Sequence, residues 1–425
     1  MLGHAAALLF FLLLACLQTW PLVSHLSDGL IGLSGERIPN NDLAIFLWNF
    51  WWVKKALLQL HQSPFYCNWL GLPGASTFVF PTLSLQNSLA ALPLSAFSSF
   101  ETAYNVLIIA NLALTGWSAY LLANDLIGSR AGRDNGGSEA AQSYGTIARW
   151  PAAMLAGLLY GTTPLQIAHV AQINVFTLYW IPLALFAARR FVATKRKTAA
   201  IAVGLIFLCN ALADWYHAVE LAILLVLLSG IKVWQARSVV VRNFEKERWP
   251  LGLGLVCFVG YIAGGLFNIY AHFAWWLLVI GYFLVLMLYS GDSPTMRRLV
   301  ARLAAGGAIV VLFSLPIALP MRRAIEGEQW IRDVPIVAKS VFSADFVSYL
   351  LPMRMVKRLF PTQQPTDVVT TGARESGAND VFPGYVAWAI LAAAMAWWIG
   401  KSRRGGHWLF AAAVFVVLSL GPLLR

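Results

Sequence analysis

The chain has 425 residues, of which 59% are hydrophobic, 13% aromatic and only 12% charged, and its mean hydropathy is +0.66. Soluble domains carry about 25% charged residues, so this balance excludes an ordinary soluble enzyme and predicts an integral membrane protein in contact with the lipid bilayer. The net charge of +12 gives no reason to expect nucleic acid as a partner, because the basic residues are scattered rather than gathered into one patch.

Apolar runs of roughly 18 to 22 residues, each able as a helix to cross a hydrocarbon core of about 30 Å, recur from end to end. In chain order they predict spans at 5–23, 103–127, 150–163, 172–190, 198–213, 216–233, 250–269, 272–290, 303–320, 382–400 and 407–423, or about eleven crossings. Continuous apolar runs exclude the alternation of a membrane barrel. The expected fold class is therefore all-α, a polytopic transmembrane helical bundle forming one module over 1–425. The first run could also be a signal peptide, but it lacks a Lys or Arg before the apolar stretch and is read as a span.

Most of the 31 Lys and Arg fall in short loops on one side if the N-terminus is cytoplasmic, as the positive-inside rule requires. This orientation, in a bacterial-type inner membrane, leaves two long segments outside, 24–102 and 321–380. The stretch "RAGRDNGGSEAAQSYG" after the second span reads as a solvated connector. Cys16, Cys209 and Cys257 fall inside spans and Cys67 stands alone in a loop, so no disulfide framework or Cys-based metal site is expected. No G-x-G-x-x-G, P-loop, H-E-x-x-H or G-x-S-x-G motif occurs.

Within the first outer segment, "NDLAIFLWNFWWVKKAL" predicts a helix over 43–60 lying in the membrane interface. Trp48, Trp51 and Trp52 suit the headgroup level, and Lys54 and Lys55 can reach lipid phosphate. Asp42 at its start has two readings: a helix N-cap, or a general base or metal ligand at the outer membrane surface. Next, "TTPLQIAHVAQINVF" spaces Thr163, Gln166, His169 and Gln172 by three. On a helix they form a slowly drifting polar stripe that either lines a watery cavity or bonds a neighbouring helix.

Farther on, "NALADWYHAVE" packs Asn210, Asp214, His217 and Glu220 into a reversal between two spans, where Asp214 is either a cap or a site residue. In "LPMRRAIEGEQW", Arg322 and Arg323 either anchor a helix end or clamp a phosphate with their planar guanidinium. Asp345 in "SADFVSYLLP" either caps the next helix or belongs to the same outer site.

The long outer loop with an early acid, together with "NDLAIFLWNFWWVKKAL", "HVAQINVFTLYWIPLAL", "SADFVSYLLP" and "VFPGYVAWAIL", resembles the GT-C class of membrane glycosyltransferases, in particular a large bacterial multi-spanning branch. Asp42 with Trp48 and Trp52, His169 with Gln172, and Gly384 with Tyr385 carry that resemblance. It implies transfer of a sugar, with inversion, from a polyprenyl-phosphate donor to an acceptor at the outer leaflet. Asp42 would be the base or would help hold a divalent cation (Mg or Mn), an Arg of the 322–323 pair would clamp phosphate, and His169, Gln172 and Asp214 would line the cavity. The chain departs from the class in lacking a second acid beside Asp42, where Asn41 stands instead. It also ends directly after its last span, as a shortened member or a truncated reading frame would. Two other functions remain open: a transporter or flippase for a lipid-linked glycan, and a non-catalytic scaffold of envelope assembly.

Overall fold

The computed structural model describes residues 2–31, 41–235 and 294–327, apart from short gaps in the second stretch, and a few positions between 389 and 395. The described chain is mostly helical. Its helices are α1 (Leu2–Gln18), α2 (Asn41–Leu58), α3 (Leu85–Leu94), α4 (Phe100–Asp134), α5 (Glu139–Gly161), the four-residue α6 (Ile173–Phe176), α7 (Trp180–Thr194), α8 (Lys197–Ala213), α9 (Trp215–Gln235) and α10 (Pro294–Gly327). One small β element accompanies them. Tyr66–Cys67 and Ser76–Thr77 pair antiparallel, Tyr66 opposite Thr77 and Cys67 opposite Ser76.

Among the described residues two stretches, Phe100–Gly128 and Ile173–Thr194, are long and apolar enough to cross a membrane, while Gly3–Gln18, Thr198–Ala213, Tyr216–Ser229 and Val300–Leu315 are apolar but shorter. The spans expected at 250–269, 272–290, 382–400 and 407–423 lie wholly or mostly outside the described residues. Several helices overrun their apolar runs, because backbone hydrogen bonding continues wherever propensity allows, whatever the side chain's polarity. The run 303–320 lies within a helix of 34 residues. The expected connector after the second span is likewise helical up to Asp134 and again from Glu139.

The expected span 172–190 is a different case, because the helix is interrupted between Phe176 and Trp180. Pro182 explains where α7 begins: its ring fixes φ, removes a donor and clashes with a carbonyl four residues back, so it is tolerated only in a first turn.

By packing, the chain divides into two compact units, Met1–Phe186 with Leu208–Val219 and Leu315–Arg425, and Ala187–Phe207 with Glu220–Ser314. In the first, Ala7, Phe11 and Ala15, one turn apart on α1, pack with Phe46 and Phe50 of α2 and with Tyr104, Ile108 and Leu112 of α4. The seam between α4 and α5 is built on glycine. A Cβ on Gly161 would stand 2.9 Å from the Gly116 Cα, and one on Gly157 would stand 2.6 Å from the Gly116 carbonyl oxygen and collide with the Phe11 ring. In the second unit, Gly204 lies against Phe313 and Ile309, and Arg302 Nη1 donates to the Val192 carbonyl at 3.1 Å.

The α1 face opposite its buried alanines is also apolar and open, with Leu13 58% and Leu17 72% exposed. A helix apolar on both faces cannot be explained by one protein core alone.

Helix α2, expected at the headgroup level, buries one of its faces in the core. Trp52 is fully buried, with its indole N–H donating to the Pro64 carbonyl at 2.9 Å, and it stacks on Trp48 at 5.8 Å between ring centroids. Lys54 turns inward to the Ser95 carbonyl at 3.1 Å, while Lys55 lies 4.4 Å from the centre of the half-exposed Trp69 ring. The cause is periodicity. Leu43, Phe46, Phe50 and Val53 recur at helical spacing and draw this face into the core.

Candidate functional site

The polar residues of the first unit converge on one short segment, Gln172–Thr177, which leads into and out of α6. At its start, Gln172 Nε2 donates to Asp42 Oδ2 at 2.5 Å, joining residues 130 apart in sequence. Asp42 lies in the first turn of α2, which begins at Asn41, and both it and Gln172 are half-buried. A helix N-terminus suits a carboxylate electrostatically, so the end of α2 and the Gln172 amide together fix this acid at the edge of the core.

Two residues on, Asn174 Nδ2 donates to Asp214 Oδ2 at 2.7 Å, and both side chains are buried. Asp214 Oδ1 accepts the Tyr216 backbone N–H at 2.7 Å. The capping reading of Asp214 therefore holds, since a cap accepts from the second or third N–H of the helix it opens. His217 Nε2 lies 3.0 Å from the Val175 carbonyl. At the end of the segment Thr177 Oγ1 bonds the Ile173 carbonyl at 2.6 Å and is approached by Asn87 Nδ2 at 2.9 Å and Asn111 Nδ2 at 3.2 Å. Asn87 also reaches Ser84 Oγ at 2.9 Å, and Asn87, Asn111 and Thr177 are all buried.

Along the stripe Thr163, Gln166, His169, Gln172, Gln166 is helical and His169 lies in a turn. Gln166 N bonds Thr163 O at 3.0 Å, His169 N bonds Gln166 O at 3.2 Å and Gln172 N bonds His169 O at 2.8 Å. These are i→i+3 bonds. The row is half-buried at Thr163 and Gln172 and buried between them at Gln166 and His169.

Of the residues singled out from sequence, Asp42, His169, Gln172 and Asp214 thus gather on or beside one segment. Glu220 is exposed on α9 and Arg322 is exposed on α10. The Arg323 side chain, Asp345, Gly384 and Tyr385 lie outside the described residues. Sequence reasoning passed over Asn87, Asn111 and Thr177. The available signal was an Asn inside an apolar helix, which in a bundle must find a partner.

The described surroundings of Asp42 offer no set of ligands for a divalent cation. Among the described residues no three of His, Cys, Asp and Glu cluster to hold one, and Gln172 presents its N–H to Asp42, a donor that cannot ligate a metal. No family model, curated protein sequence or solved structure matches the chain.

Proposed function

We propose that the protein is a membrane glycosyltransferase that moves a sugar from a polyprenyl-phosphate donor to an acceptor hydroxyl at the outer face of the membrane, with Asp42 as general base. The observation that carries this reading is the Gln172–Asp42 hydrogen bond. The two residues weighed from sequence as base and cavity lining meet, although 130 positions separate them. Both are half-buried, which suits a group that must meet substrate. The apolar exposed face of α1 and the two span-length apolar stretches support the membrane setting.

In the proposed step, the acceptor O–H gives its proton to the Asp42 carboxylate as its oxygen attacks the anomeric carbon. The bond from that carbon to the phosphate oxygen breaks on the opposite face, the polyprenyl phosphate leaves with the electron pair, and the anomeric centre inverts. Gln172 keeps the carboxylate oriented throughout. No step here is routed through a cation. Arg322 and Arg323 remain the proposed phosphate partners, and His169 and Asp214 the proposed cavity residues.

The test is turnover of a polyprenyl-phosphate sugar by purified protein. Asp42→Asn is expected to lower the rate about 10²- to 10⁴-fold, the usual worth of a general base, with an unchanged melting temperature. A variant that turns over normally removes Asp42 from catalysis. The buried Asn174–Asp214 pair, with His217 beside it, favours one second reading, a flippase for the same lipid-linked glycan, since polar groups deep among apolar helices mark transport paths. That protein would move labelled lipid across a vesicle membrane without changing it chemically.

A further inference from the structure

Gln166 is only 1% exposed, yet neither its amide oxygen nor its amide nitrogen has a hydrogen-bond partner, and the buried Thr163 hydroxyl has none either. Buried polar groups are nearly always paired, and each one left unpaired costs free energy. Two such residues, adjacent on one row and spaced by an i→i+3 turn, point to a ligand that completes them. The row ends at Gln172, which holds Asp42. It is half-buried at Thr163 and at Gln172.

The chemistry of the vacant groups narrows the ligand. A carboxamide offers two N–H donors and a carbonyl acceptor in one plane, and a hydroxyl both donates and accepts. A phosphate diester has only acceptors and would leave the Gln166 oxygen without a donor. Vicinal hydroxyls donate and accept at neighbouring atoms, and so can satisfy all three groups.

We propose that Thr163 and Gln166 form a binding subsite for the hydroxyl groups of the sugar that the lipid carries. This rests on the reading of the protein as a transferase for a lipid-linked sugar, and it separates the sugar from the phosphate: the row binds the one, and other residues bind the other.

The experiment measures binding of full-length protein in nanodiscs to undecaprenyl phosphate bearing glucose, mannose, galactose or N-acetylglucosamine, against bare undecaprenyl phosphate. Wild type is expected to prefer at least one sugar-bearing lipid, and Gln166→Leu to lose about tenfold of that preference, the worth of one to two hydrogen bonds, while binding the bare lipid as before. Gln166→Leu should melt no lower than wild type, because it removes unpaired buried atoms. Thr163→Val, nearly the same shape, should reduce the preference in the same direction and guards against a misfolded first variant. A preference that survives both substitutions leaves Gln166 and Thr163 to packing or an ordered water and overturns the subsite. So does a wild type that binds all the lipids, bare and sugar-bearing, equally, though the lipid-phosphate reading then stands. If wild type binds none of the lipids, the proposed reaction fails and the matching free monosaccharides decide the subsite. A thermal shift lost in Gln166→Leu keeps it, and no shift in wild type overturns it.

Discussion

The seam between α4 and α5 and the segment Gln172–Thr177 solve the same problem in opposite ways. At the seam, Gly116, Gly157 and Gly161 remove side chains so that two helix backbones touch. Dispersion between closely approaching surfaces then holds the helices, as small residues do in membrane bundles. At the segment, a helix is broken and its neighbours α2, α3, α4 and α9 are joined through amides, carboxylates and a hydroxyl. The first arrangement gives contact without chemistry. The second costs desolvation and helix continuity, and in return it pairs polar groups from several elements on one segment.

Substitutions can break each side of this comparison separately. The largest effect is expected from Gly161→Val, because the new side chain would meet the Gly116 backbone at 2.9 Å, and backbone cannot step aside as a side-chain tip can. A loss of about 3 kcal/mol is expected from overpacking of this kind, measured by denaturant unfolding in mixed micelles, with ligand preference unchanged in the molecules still folded. A wild-type unfolding midpoint would mean that the two helices are not in contact.

Asn87→Leu strikes the other side. It removes the group that reaches Ser84 and Thr177 and that accepts from Asn111 at 3.4 Å. Leaving those partners short should cost about 2 kcal/mol, and Asn111→Leu added to it should cost less than the sum, since the two share one network. Strict additivity would show that the pair does not interact. The smallest effect is expected from Asp214→Ala. It removes the cap of α9 and the acceptor of Asn174, and the cap alone is worth about 1 kcal/mol. Asp214→Asn, able to cap still, should recover most of that loss in a thermal melt. A failure to recover would put the weight on the Asn174 contact instead.

Much of this was legible in the residues. The run 198–213 became α8 (Lys197–Ala213), 216–233 became α9 (Trp215–Gln235), and 43–60 became α2 (Asn41–Leu58). Apolar length and period are local properties, and a helix needs little else. What the spacing did not show is that Gln166, His169 and Gln172 each bond the carbonyl three residues back. Likewise the tryptophans of α2 look interfacial by composition, while the burial of Trp52 is decided by what packs on it.

By itself, then, the sequence determined that the chain is apolar, where most helices of its described part lie, and which of its polar residues are out of place in such surroundings. Only the tertiary structure decided that Asp42 meets Gln172, that Asp214 meets Asn174 and caps α9, and that Gln166 and Thr163 are left unpaired. Helix formation is governed by neighbours a few positions away. A hydrogen bond between residues 130 apart exists only once the packing of several helices has fixed both ends, and nothing in either local stretch encodes the other.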